Sequence, residues 1–305
     1  MTLSAYLVKA IYSKGVHSMN FMEIVEQARL HTRIWWVENR EVAEHAERNF
    51  EMFTGFSFLE HRDEVLNGYA DHYAEKAFAS AHLTDEFVLL LEGIRFKEED
   101  KKLLQDLLQS KTLLCMTSHF GGVDFLPACL SQNGLPTSVF LRFKSPIARE
   151  TAFKQMENLQ QWFDLKLLDA DASLAREMYK MAKKPRILVT VADSFKNWRR
   201  GEKERHEIHF LGHRFGLDNT PTKLAALMEA PVFFMILHRI KPGDYEITLE
   251  SVEPDENGYS YPVFCKWQEL VLGNPAQWYA WEELHWTWTL DPCSPDSEVS
   301  PEATL

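Results

Sequence analysis

A chain of 305 residues, 45% apolar and 26% charged, has the composition of a packed globular protein and is long enough for one large domain or two small ones. Its formal net charge of −12 excludes a duplex nucleic-acid binder, which needs a basic surface, and speaks against the whole body lying on anionic lipid. The cysteines Cys115, Cys129, Cys265 and Cys293 form no Cys-x-x-Cys pair and match neither a zinc site nor a small disulfide framework, so a reducing cytoplasm is the expected setting.

In chain order, the start "MTLSAYLVKAIYSKG" is broken by Lys9 and lacks the long apolar region and cleavage site of a signal peptide. Nowhere do about 18 apolar residues run together, so any membrane contact would be peripheral. Residues 1–110 read as helical, because "FMEIVEQARLHTRIWWVENREVAEHAERNFEMF" and "EVLNGYADHYAEKAFASAHL" carry apolar residues at helical spacing. A cap or platform is expected there. From residue 111 short β-rich runs alternate with helical stretches. "TLLCMT" (112–117), "TSVFLRF" (137–143), "RILVTVA" (186–192) and "VFFMILHR" (232–239) read as buried strands, and "YEITLESV" (245–252) as an added edge strand. Helices are expected from near Asp124, over 146–163, over 173–184 and over 220–230. The pattern predicts an α/β fold, a mainly parallel central sheet flanked by helices with an N-terminal helical cap. It implies a single domain over 1–290, with an α/β core over 111–290 and a disordered tail over 291–305, rich in Pro, Ser and acids.

In such a sheet ligands bind at the carboxyl ends of the strands. His119 follows the first strand, Arg142 ends the second and Asp193 follows the strand over 186–192. The stretch "TSHFGGVD" holds His119, the pair Gly121-Gly122, and Asp124. Asp124 can be read as a plain helix N-cap in a tight turn. It can equally be read as the carboxylate that orients the imidazole, whose other nitrogen takes a proton from an attacking hydroxyl or amine. Gly121 and Gly122 would bring the loop close to a bound thioester. "KNWRRGEKER" gathers Lys196, Arg199, Arg200, Lys203 and Arg205, either a solvated loop or a cationic patch for an acidic carrier protein or for phosphates. His206, His209 and His213 would share a face only on a helix, whereas "EIHFLG" reads as a strand, so no metal is expected.

"HFGGVD" resembles the His-x4-Asp motif of the glycerolipid and lysophospholipid acyltransferases, and the wider chain, over about 25–285, is similar to their lipid A lauroyl and myristoyl transferase branch. Further blocks carry the likeness in order: "ENREVAEHAERNF", "FLRFKSP", "VTVADSFKNWRRGEKERHEIHFLG", "NTPTKLAALMEAPV" and "NPAQWYAWEELHW". The resemblance implies transfer of a fatty acyl group from acyl-carrier protein or acyl-CoA to a hydroxyl or amine, with no cofactor beyond that co-substrate. His119 would be the general base and Asp124 its orienter. Gly121, Gly122, Arg142, Asp193 and Arg199 or Arg200 would bind donor or acceptor. The third block reads Ala192-Asp193 where Pro-Asp is usual, and the last reads Glu282-Glu283-Leu284-His285-Trp286 in place of a run of cations. The acceptor is thus open between a lipid and a small molecule. Two other classes stand beside this one. A serine hydrolase would need a Gly-x-Ser-x-Gly elbow, which the chain lacks. A non-catalytic relative would bind acyl chains and keep the histidine for structure.

Overall fold

The structure is a computed structural model that describes residues 6–7, 10–11, 18–81, 85–141, 146–169, 184–193, 206–217, 220–256, 258–281 and 284. The N-terminal part holds α1 (Phe21–Glu38), α2 (Arg40–Thr54), α3 (Phe58–Ala81), α4 (Asp85–Glu92) and α5 (Glu98–Leu108). Helix α1 starts at a capping box. The Asn20 side chain accepts from Glu23 N at 3.0 Å, and Glu23 Oε2 accepts from Asn20 N at 2.8 Å, which satisfies two amides the first turn would otherwise leave open.

The strands follow as β1 (Leu113–Thr117), β2 (Thr137–Leu141), β3 (Leu165–Asp169), β4 (Ile187–Val191), β5 (His206–Phe210), β6 (His213–Leu217), β7 (Val232–Lys241) and β8 (Asp244–Ser251). Six of them form one sheet in the order β3-β2-β4-β1-β7-β8, parallel except for the antiparallel edge pair β7–β8. Strands β5 and β6 make a separate antiparallel hairpin. Helices α6 (Leu126–Gln132), α7 (Pro146–Leu159), α8 (Thr220–Met228) and α9 (Ser260–Gly273) connect or cover the strands. This is the expected α/β architecture with a mainly parallel sheet. The edge strand β8 lies where alternation of "YEITLESV" places it, and "EIHFLG" lies in and just after β5. Strands β3 and β6 are additions that periodicity does not announce. The helix start expected at Asp124 is a 3-10 turn over Val123–Phe125 ahead of α6. The helix expected over 173–184 lies almost wholly outside the described residues.

Side-chain alternation splits the sheet into two buried faces. Leu114, Met116, Leu188, Val232, Phe234 and Ile236 belong to one apolar cluster, and Leu113, Cys115, Ile187, Val189, Phe233 and Met235 to the other. Both faces are covered, so each strand reads as an unbroken apolar run. Helices α1 and α3 contribute to both clusters. Trp35, Trp36, Tyr69 and Tyr73 pack on the first, Phe21, Ile24, Ala74 and Phe78 on the second. The N-terminal helices are therefore part of the same core as the sheet. Helix α3 also packs against the turns Val123–Phe125 and Pro275–Gln277, which lie beyond the carboxyl end of β1.

The two ends of the sheet carry different polar chemistry. Before β4, Arg186 is buried, donating from Nη2 to Thr137 O at 2.8 Å and Asp164 O at 2.7 Å, and from Nε to Ser138 Oγ at 3.0 Å. Those bonds tie the starts of β2 and β3 to β4. A histidine and a carboxylate meet instead at the carboxyl end.

Candidate active site

The register of β1 on β4 pairs Thr117 with Val191, a constant offset in a parallel ladder. Two residues beyond those strand ends stand His119 and Asp193. From β1 the chain crosses one way along the sheet to β2, and from β4 it crosses the other way to β7. Connections of one hand that run in opposite directions lie on opposite faces. Helix α6, after β1, accordingly packs in one apolar cluster through Leu126 and Cys129, and α8, after β4, in the other through Leu224 and Ala225. In open α/β sheets ligands bind at such a reversal of crossover direction, beyond the carboxyl ends of the two strands.

His119 Nδ1 lies 2.8 Å from Asp193 Oδ1, and the His119 amide donates to Asp193 Oδ2 at 2.8 Å. The indole Nε1 of Trp278 donates to the same Oδ2 at 3.3 Å. The Asp193 side chain is fully buried while that of His119 is 39% exposed. An ionised carboxylate only accepts, so it fixes the proton on Nδ1 and turns the basic Nε2 away from itself.

The family resemblance gives this orienting role to Asp124. The carboxylate on the ring is that of Asp193, because sheet order puts β4 beside β1. Asp124 Oδ2 lies 3.2 Å from Nδ1 of His72, a buried histidine of α3. The His72 ring stacks on Tyr279 with centroids 3.3 Å apart and planes at 10°, and Tyr279 meets His119 edge-on at 5.7 Å. Burial, helped by Lys76, Arg239 and His119, holds His72 well below the ordinary imidazole value, so it is neutral. Burial pushes the Asp124 carboxyl up, against the pull of Lys76, His119 and Arg239.

Gly121 and Gly122 serve the loop's own packing. Gly121 has φ +60, and a Cβ there would lie 2.2 Å from Leu237 O. A Cβ on Gly122 would lie 2.9 Å from the Tyr245 ring. Their amides are spent inside the protein, Gly121 N on Gln277 O at 3.0 Å and Gly122 N on Leu237 O at 2.9 Å. The loop thereby approaches β7 and the segment after α9 closely. The Gly121 carbonyl is clamped as well, since Arg239 donates to it from Nη2 at 2.9 Å. Arg239 is itself held by Glu75 of α3, with Nε–Oε1 at 2.5 Å and Nη2–Oε2 at 2.6 Å, and Tyr245 Oη donates to Glu75 Oε1 at 2.8 Å. Burial alone would lower the guanidinium, but the facing Glu75 carboxylate more than reverses it, so Arg239 is raised; burial in turn pushes the Glu75 carboxyl up, against the pull of Arg239.

The segment after α9 closes the site from the other side. Phe120 bridges to Trp278, and Asn49 of α2 donates from Nδ2 to Trp281 O at 2.7 Å and to Leu284 O at 2.5 Å. Trp278 and Trp281 are buried, so both work in packing, and Trp278 also reaches Asp193. Arg142, Arg199, Arg200 and the rest of the basic cluster lie outside the described residues, as do Trp286 and Trp288. His209 and His213 sit on the β5–β6 hairpin, where His209 pairs with Arg214 and His213 with Phe210. Among the described residues no group of three metal-ligating side chains gathers, and no helix is long and apolar enough to cross a membrane.

Sequence reading missed His72, Glu75, Arg239 and Tyr279. Only Tyr279 carried a signal, through its place in "NPAQWYAWEELHW". No family model matches the chain, and no curated protein matches it.

Proposed function

We propose that the protein is an acyltransferase that moves a fatty acyl group from acyl-carrier protein or acyl-CoA to a hydroxyl or amine of a lipid or small-molecule acceptor. The observation that carries this reading is the His119–Asp193 pair at the carboxyl ends of adjacent parallel strands, with the carboxylate buried and the imidazole partly exposed. The likeness of "HFGGVD" and its companion blocks to the acyltransferases supports it from the sequence side. In this reading His119 Nε2 takes the proton from the acceptor as its oxygen or nitrogen attacks the thioester carbonyl. The imidazolium, steadied by Asp193, then returns the proton to the leaving thiolate. The substrate supplies the nucleophile, so no enzyme serine is required. The setting proposed is cytoplasmic, with at most a peripheral contact with the membrane.

The test is a panel of acyl-carrier-protein and acyl-CoA donors with lipid and small-amine acceptors, read by mass spectrometry. His119→Ala is expected to keep the fold and to lower transfer by about 10²–10⁴-fold. Unchanged turnover in a well-folded His119→Ala protein would sink the reading. Tight fatty-acid binding without turnover would point to a non-catalytic binding protein.

A further inference from the structure

The register of β1 on β7 stops at Met116 opposite Phe234, and β1 itself ends at Thr117. Strand β7 runs on to Lys241 and holds the loop that carries His119 where β1 no longer can. Leu237 O accepts from Gly122 N at 2.9 Å, and Arg239 Nη2 donates to Gly121 O at 2.9 Å. The Arg239 amide donates to Gln277 Oε1 at 3.0 Å, and Gln277 O accepts from Gly121 N at 3.0 Å. Next after Gln277 come Trp278, which donates to Asp193, and Tyr279, which meets the His119 ring edge-on. One residue of β7 thus grips both the loop that bears the imidazole and the segment that holds its carboxylate.

The grip needs a guanidinium. The Arg239 side chain is buried, and so is that of Glu75, whose two oxygens take Nε and Nη2 and leave Nη2 a second N–H for Gly121 O. A buried pair of this kind adds little stability over apolar residues of the same volume. What apolar residues could not do is aim a donor at the Gly121 carbonyl. Gly121 stands two residues after His119, whose own amide is bonded to Asp193, so the short span between them is held at both ends. The His119 ring is 39% exposed and gains little from packing around it. Its direction depends on Asp193 and on the backbone that carries it.

We infer that Arg239, aimed by Glu75, is the positioning residue of this site and sets where His119 Nε2 stands against the reacting carbonyl. This rests on the acyl-transfer reading above. Being buried, Arg239 acts through Gly121 and Gln277, so its loss weakens the transition state and leaves donor binding as it was. A displacement of about 1 Å in a catalytic group can lower a rate by about 10²-fold.

The test uses the full chain with Glu75→Gln and Arg239→Met combined, which leaves no buried charge and keeps an acceptor for Tyr245. Arg239→Lys is measured beside it, because a single ammonium does not span Glu75 and Gly121 O together as the fork does. In both, kcat for palmitoyl-CoA is expected to fall by about 10–10²-fold, with KM within about twofold of the wild type. The NMR signal of the His119 Nδ1 proton is expected to exchange with water at least about tenfold faster than in the wild type. Should the combined variant not fold, Arg239→Lys decides alone. Unchanged kcat and unchanged proton exchange in a folded variant, whatever its Tm, would make Arg239 a structural residue and overturn the inference. A change confined to KM would overturn it as well. Both outcomes leave acyl transfer standing. Faster exchange in the variants of a protein that transfers no acyl group would sustain the positioning of His119 and overturn acyl transfer.

Discussion

Asp193 receives the His119 ring, the His119 amide and the Trp278 indole on its two oxygens. It therefore fixes both the tautomer and the tilt of the ring. Asp193→Asn keeps the shape but puts an amide where a carboxylate stood. The ring then loses its preference for the Nδ1–H tautomer and the charge that steadies the imidazolium. Under the proposed acyl transfer we expect kcat to fall by about 10²–10⁴-fold with little change in KM for the donor, by analogy with the orienting aspartate of catalytic triads. Steady-state kinetics checks this. A loss confined to KM would move Asp193 from orientation to substrate binding.

Helix α3 decides how the site is supported, through His72 and, three residues on, Glu75. His72 makes stability depend on pH. Its folded value is depressed by burial, so the unfolded chain binds a proton more readily than the folded one. The neutral form's stability is intact above the ordinary imidazole value, about 6.5. It is lost progressively as pH falls below that toward the depressed folded value. Thermal denaturation of the wild type against His72→Gln should show the wild type losing more Tm between neutral and mildly acidic pH. Parallel pH profiles for the two proteins would count against the burial argument. Among the other elements, the strands were legible because both sheet faces are buried and the apolar runs are short. β3 was not, since "LKLLD" carries a lysine and an aspartate that blur the run. His119 and Asp193 were each legible as strand-end residues, yet their pairing was not. Which strands are neighbours is set by crossovers, and no local spacing in the sequence records that β4 returns to lie against β1. His72 and Glu75 were hidden for a similar reason: on a helix with an apolar pattern they look like any polar position.

At the scale of the molecule, the helical N-terminal part and the sheet share both apolar clusters. Trp35, Trp36, Phe50, Tyr69 and Phe78 are all fully buried. Each is worth about 1.5–3 kcal/mol when taken out of water. Together they match the whole stability of a typical domain, about 5–15 kcal/mol. The sheet cannot lose that cover and keep its order, and the carboxyl edge would lose Glu75 and His72 with it. A chain cut to residues 111–290 is therefore expected not to fold, showing no near-UV circular dichroism and strong dye binding to exposed apolar surface. The full chain should instead melt in one transition, with tryptophan fluorescence and far-UV circular dichroism coincident. A folded 111–290 fragment, or two separated transitions, would show that the helices are a detachable cap. The site then would not need α3, and the roles given to His72 and Glu75 would fall with it.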